Sequence, residues 1–322
     1  MTRFITRRVL SALIVLFAIS IIVFLIFFVT PGVDPVARLA GKNASPETLA
    51  RVRHEFGLDQ ALPVQYVMMM KKLLITRDLS SFIDRGVLVV PQIIRAAPIT
   101  LSLVTGAAVL WMLTSTLMGT IAGRFRGTLL DPLIMVISVL GISLPVFWLG
   151  EIVNLLTQGS LHESVFRWVP AVGYAPLSEG FGQWALHLLF PWFTLAVMYI
   201  GIYSRVLRSE IVATDSERFV LTARAKGLSE TRVLLKHNLR VAITPLISLF
   251  GMDFGVLIGG SALLVEVVFD LPGLGRLTYD ALQTFDLPIL MGTVIYTAFF
   301  VVLTNMVIDI VLGRLDPRVR AE

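Results

Sequence analysis

The sequence contains no cysteine, which excludes disulfide staples, thiolate metal sites and cysteine nucleophiles. Charge is scarce as well: 15% of the 322 residues are acidic or basic, where a soluble domain carries about 25%. The four histidines, His54, His162, His187 and His237, form no H-x-x-x-H or H-E-x-x-H pair, which argues against a metal held by the chain. No G-x-x-x-x-G-K-[ST] run occurs, so that type of loop is not present to cradle nucleotide phosphates. What the chain has in excess is apolar residues, 56% of the total, with a mean hydropathy of +0.83. They come in blocks of more than 20 residues, too many to hide in one water-soluble core. The class is an all-α polytopic membrane protein. A net charge of +5 invites a nucleic-acid reading, but in a membrane protein the placement of charge carries the information, and no nucleic-acid partner is expected.

Six segments are long enough for the roughly 20 helical residues that a bilayer crossing needs: 9–30, 98–123, 129–157, 187–207, 243–267 and 289–313. The first follows the short basic segment 1–8 and lacks a small-residue cleavage site, so it reads as an anchor. The third contains Pro145, which predicts a kink or a break into two halves. Sixteen of the 27 basic residues fall in 1–8, in the second-to-third connection, in 205–242 and in the tail 314–322. The short connections opposite, 158–186 and 268–288, hold only Arg167 and Arg276. This asymmetry places both termini and the 208–242 loop in the cytoplasm.

The external segment 31–97 reads as a small folded appendage. Ser45 and Pro46 suit a helix N-cap and first turn, Leu49, Val52 and Phe56 line one face, and Gly57 ends it. The apolar run Val87–Val90 is too short to cross and is expected to lie on the membrane surface. In the cytoplasmic loop, residues 216–226 are helix-compatible, with Phe219, Ala223 and Lys226 on one face. Gly227 supplies the left-handed stop. Ser229 is placed to cap a second helix that runs through Leu234, Leu235 and Leu239 towards Pro245. A helix–Gly–helix element of this size suits a knob that enters a groove on another protein; a plain solvated basic loop is the simpler reading of the composition alone.

The run Thr222-Ala223-Arg224-Ala225-Lys226-Gly227-Leu228-Ser229, followed by His237, Leu239, Arg240 and Pro245, resembles the EAA loop of ABC importer permeases. Gly259-Gly260-Ser261-Ala262 through Glu266, Phe269 and Pro272-Gly273-Leu274-Gly275-Arg276-Leu277 resembles the fifth helix and next external loop of the dipeptide/oligopeptide/nickel branch. Leu315-Asp316-Pro317-Arg318-Val319-Arg320 resembles its C-terminal signature, and Gly57-Leu58-Asp59 and Ser143-Leu144-Pro145-Val146-Phe147-Trp148 are weaker matches. The resemblance covers nearly the whole chain. It implies a type I ABC importer permease fold in a bacterial inner membrane, importing short peptides or related solutes such as nickel chelates. It implies that Phe219 and the 222–229 block form a coupling helix on a partner ATPase, with Arg224 and Lys226 facing polar or acidic groups there. It implies further partners: a second homologous permease, expected as a heterodimer, two ATP-binding subunits or domains, and an extracytoplasmic substrate-binding protein. ATP and Mg are used by the ATPases, and this chain has no catalytic role and binds no cofactor. Three places depart from the family pattern. Arg218 and Leu221 replace an acidic and a basic residue, Val33 is inserted in Pro31-Gly32-Val33-Asp34-Pro35, and Arg77-Asp78-Leu79-Ser80-Ser81 replaces Gly-Asp-Leu-Gly-x-Ser.

Five acidic residues lie in or at the ends of spans: Asp131, Glu151, Asp253, Glu266 and Asp309. Ionised carboxylates in lipid are costly, so these face protein, water or the interface. Arg124, Arg126 and Arg314 are candidate partners for Asp131 and Asp309. Asp253 lies among Gly251, Gly255, Gly259 and Gly260, a spacing that favours close helix packing; the other reading has Asp253 lining the pathway, with Pro145 and Glu266 as further pathway or gate candidates. Trp148, Trp168, Trp184 and Trp192 read as an interfacial belt. An ion-coupled secondary transporter is the alternative function, but no internal repeat is visible. An intramembrane serine protease fails, because no span carries a central histidine or a lysine to activate Ser143 or Ser261.

Overall fold

The computed structural model describes residues 2–29, 45–55, 57–84 and 86–315. Among them the chain is helical, and the only β pairing is an isolated antiparallel bridge between Ser80 and Leu88. The helices are α1 (Thr2–Val29), α2 (Pro46–Glu55) and α3 (Leu62–Met70), which runs on through a π-helical turn, Lys71–Thr76. There follow α4 (Val89–Arg124), α5 (Leu130–Ser143), α6 (Val146–Gln158) and α7 (Phe181–Thr214). The loop helices are α8 (Arg218–Ala225) and α9 (Glu230–Val233), the latter continuing through a π turn, Leu234–Asn238, into α10 (Leu239–Ala242). Last come α11 (Thr244–Val256), a π turn Leu257–Ser261, α12 (Ala262–Val268), α13 (Leu274–Thr284) and α14 (Leu287–Leu315).

Among the described residues, five helical stretches are long and apolar enough to cross a bilayer, and α5 with α6 makes a sixth if that pair is one span, bent by 99°. The bend falls at Leu144-Pro145, where proline has no N–H to continue the ladder, so the expected break in the third span is present. Several helices outrun the expected spans: α4 starts at Val89 and α7 continues to Thr214. The Val87–Val90 run therefore does not lie flat on a membrane surface. Leu88 pairs with Ser80, while Val89 and Val90 start α4 and are buried. The error came from treating four apolar residues as one unit when a helix start divides them.

The chain divides into two compact units. The first comprises 1–99 and 272–306. Its core gathers Val23 and Phe24 of α1, Met69 and Leu73, Val89 and Ile93, and Leu287, Leu290 and Met291. Tyr66 of α3 lies edge-on to Phe24 and shares a hydrogen bond of 2.7 Å with Ser20, fastening α3 to α1. The Ser81 hydroxyl donates to Asp286, whose other oxygen accepts the Phe82 N–H at 3.2 Å. α2 begins at Pro46, where the start was expected; its expected apolar face rests on Leu49, Val52 and Phe56, whose side chains lie outside the described residues.

The second unit comprises 100–271 and 307–322 and is organised around α7. The largest buried side chains there include Trp111, Tyr203, Leu195 and Leu207. A Cβ on Gly119 would stand 2.9 Å from the Ser204 carbonyl oxygen, and one on Gly123 2.7 Å from Ile211 Cγ2. On the other side of α7, a Cβ on Gly201 would fall 2.4 Å from the Ser138 carbonyl oxygen. Backbones this close suit a lipid environment, where packing and not water exclusion joins helices. Gly119-x-x-x-Gly123 is a small-xxx-small pattern in plain view in the sequence, whereas the expectation fell on the fifth span.

Candidate functional site

The 208–242 loop begins while α7 is still helical, so the free element starts at Asp215. α8 then ends in a Schellman closure: the Gly227 N–H donates to the Arg224 carbonyl at 2.9 Å and the Leu228 N–H to that of Ala223 at 3.4 Å. Gly227 has φ +76°, and a Cβ there would meet no atom within 4 Å. The residue is required for its backbone angle and not for space. Leu228 packs on Val220, Ala223 and Val233, three buried residues that are the whole apolar core of the element.

The inward face is therefore Val220 with Ala223. Phe219 is exposed, together with Leu221, Thr222, Ala225, Lys226 and Ser229, so the expected shared face of Phe219, Ala223 and Lys226 is corrected. One hundred degrees per residue puts 219 and 223 on the same stripe, but the partner helix approaches between 220 and 223. Ser229 holds the N-cap position of α9 in extended backbone, without a side-chain capping bond.

Arg224 also departs from expectation. Its Nη2 donates to Asp215 Oδ1 at 2.6 Å, and its Nε donates to Glu230 Oε1 at 3.0 Å. The bonds to Glu230 and Asp215 raise its pKa above the usual guanidinium value. Asn238, buried beneath, donates from Nδ2 to the Ile211 carbonyl at 3.1 Å. The Arg224 guanidinium thus turns inward among the carboxylates of its own chain, and Lys226 is left as the outward cation of the block.

Within the spans, the three pathway candidates have separate surroundings. Pro145 is exposed at the bend. Asp253 accepts a hydrogen bond of 2.7 Å from the Tyr203 hydroxyl and is half-buried. Glu266 is fully buried and accepts one of 2.6 Å from Thr100. Of the glycines assigned to packing, Gly251 faces Ile308, with Cγ2 2.6 Å from a built Cβ, and Gly255 is buried. Gly259 and Gly260 are exposed, and a Cβ on Gly260 would meet nothing, so the packing role does not extend to them. They sit in the π turn 257–261, which rotates them off the packed stripe.

Asp131 makes no ion pair with Arg124 or Arg126, and the Arg314 side chain lies outside the described residues. Arg208 of α7 grips Asp131 with both arms, Nε to Oδ1 at 3.0 Å and Nη2 to Oδ2 at 2.7 Å. Two residues 77 apart in sequence give no local signal of such a pair. Trp192 is not a belt residue either: its indole N–H donates to the Ser102 carbonyl at 3.0 Å, and its ring lies over Gly106. Trp148 and Trp168 remain exposed, Glu151 is exposed and Asp309 half-buried. His54 shares a hydrogen bond of 2.8 Å with Asp59.

Comparison with known proteins agrees with this architecture. Residues 115–321 match the family described as the inner membrane component of binding-protein-dependent transport systems. Residues 1–104 match the N-terminal domain described for the same transport-system membrane components. A protein of Brucella abortus (strain 2308) named as a peptide transport system permease is 36% identical over 320 residues, covering 99% of both chains. The glutathione transport system permease protein GsiC of Salmonella typhimurium is 33% identical over the same length, again 99% of both. The chain therefore belongs to the family of binding-protein-dependent transport system inner membrane components, as an all-α multi-pass ABC permease.

Proposed function

We propose that this chain is one of two similar permease subunits, paired as a heterodimer, that form an alternating-access pathway for short peptides. The observation that carries the reading is the Schellman-closed helix–Gly–helix element, with Phe219, Leu221 and Lys226 outward, in a chain that aligns end to end with a named peptide permease. Two ATP-binding subunits or domains bind ATP and Mg; this chain binds neither and catalyses no reaction. An extracytoplasmic binding protein delivers the solute to the opposite face. The charge asymmetry supports cytoplasmic termini and a cytoplasmic loop.

Closure of the ATPases and docking of the binding protein favour different states of the permease, so their differential affinity drives the switch between inward and outward access. The test is purification of the tagged chain in mild detergent, followed by uptake in liposomes. A second six-span protein and an ATPase are expected to co-elute, and ATP with the binding protein to drive peptide uptake. Uptake by the chain alone under an ion gradient would overturn the reading in favour of secondary transport.

A further inference from the structure

The loop helices share too little apolar surface to fix their own angle. Val220, Ala223 and Val233 are the buried residues of that core, and Gly227 is an exposed joint with no neighbour within 4 Å of a built Cβ. A three-residue core is far below what holds an independent unit rigid. What spans the joint is Arg224. It reaches from α8 to Glu230 at the start of α9 and to Asp215 at the end of α7. Asn238 adds a bond from the π turn back to the Ile211 carbonyl, and its Nδ2 lies 3.4 Å from Asp215 Oδ1. Three successive elements thus converge on one guanidinium. Its fork geometry suits this, because Nη2 serves both carboxylates while Nε serves one.

We propose that Arg224 is a positioning residue: by bridging Asp215 and Glu230 it fixes the angle between the two loop helices and locks that angle to α7, so that movement imposed on the loop reaches the spans and is not absorbed at Gly227. The transmission half of this proposal rests on the permease reading above; the latch itself is a property of this chain alone. Contact with the ATPase then belongs to the outward residues Phe219, Leu221 and Lys226.

Two measurements test it. The chain has no cysteine, so Leu221→Cys with Leu235→Cys, both at exposed positions, accepts spin labels at two defined sites of the purified chain. The distance distribution is expected to be narrow, and to broaden in Arg224→Gln and in Glu230→Gln, with the double variant no broader than either. In the reconstituted transporter the same variants are expected to lower peptide moved per ATP hydrolysed by about fivefold or more, again without additivity. Lys226→Gln is expected to weaken ATPase association while leaving the distance distribution narrow. An unchanged distribution in Arg224→Gln overturns the latch. Full transport by Glu230→Gln alongside loss in Arg224→Gln also overturns it, because a direct ATPase contact by Arg224 has that signature. If no ATPase co-purifies with the unmodified chain, the permease reading fails, while the distances still decide the latch.

Discussion

The surroundings of α7 and the helix–Gly–helix loop solve the same problem by opposite means. Around α7, glycines at 119, 123 and 201 bring helix backbones together until no Cβ fits between them. In the loop, the helices are joined by charge, with Arg224 between Asp215 and Glu230. The difference follows from the solvent. Within a bilayer, lipid tails are as apolar as leucine, so only close approach and hydrogen bonds distinguish a neighbouring helix from lipid. In water, charge-assisted hydrogen bonds are available at small cost in desolvation, and they need no large core. Close packing gives rigidity that is lost all at once, whereas a charged latch gives an angle that can be altered without unfolding.

The strongest way to break this contrast is Gly201→Leu. Its side chain would start 2.4 Å from the Ser138 carbonyl, so helices α5 and α7 must separate. We expect a loss of about 3 kcal/mol or more, seen as a sharp fall in folded protein recovered from membranes. Gly260→Ala is the matched control, with an open site and no expected loss of recovery. Next is Gly227→Val, which puts a β-branched residue at φ +76°. The local cost is about 1–3 kcal/mol; insertion is expected to remain normal while transport or ATPase association falls, and full transport would count against the coupling role.

A smaller effect is expected at Arg77. It adopts φ +58° at the end of the π turn after α3, where the family pattern carries glycine. Arg77→Gly is expected to raise stability by up to about 1 kcal/mol, the relief of left-handed strain less the extra freedom of an unfolded glycine. Thermal unfolding in detergent measures it. The smallest effect concerns His54 and Asp59. Their hydrogen bond raises the His54 pKa and lowers that of Asp59. For the raised histidine, the contribution is complete below about pH 6.5 and vanishes as pH rises through the higher folded value. For the lowered carboxylate, it is present at neutral pH and vanishes as pH falls through the depressed value. Asp59→Asn should therefore move the His54 ring titration to lower pH by NMR, with little change in overall stability at these exposed positions.

Much of the fold was legible in the sequence because bilayer crossing is a local property of some 20 residues. The break at Pro145 and the turn at Gly227 were legible for the same reason, since each follows from the conformational limits of one residue. What was not legible depends on pairs distant in sequence. Arg208 with Asp131 and Ser81 with Asp286 are joined only by the tertiary fold. Arg224 illustrates a second limit: motif resemblance assigned it outward, but its carboxylates are only 9 and 6 residues away. Gly259 and Gly260 show a third, because a π turn shifts the helical phase that a fixed period assumes. At Arg77, by contrast, the departure from the family glycine was visible, and the left-handed backbone explains why glycine is usual there.

The 99° break between α5 and α6 has a mechanical meaning. The first half, α5, is bolted to α7 through Asp131 with Arg208 and through the close approach at Gly201. The other half, α6, is attached to α12, with Asn154 Nδ2 donating to the Val268 carbonyl at 2.8 Å and Gly150 lying against Val268. One span is thus two rods that both lie against α7, the second held by α12 as well, meeting at a residue pair that carries no helical hydrogen bond across it. A straight rod would move both ends of the span together. A jointed one carries no such constraint, so the direction of each half is set by its own contacts with α7 and α12.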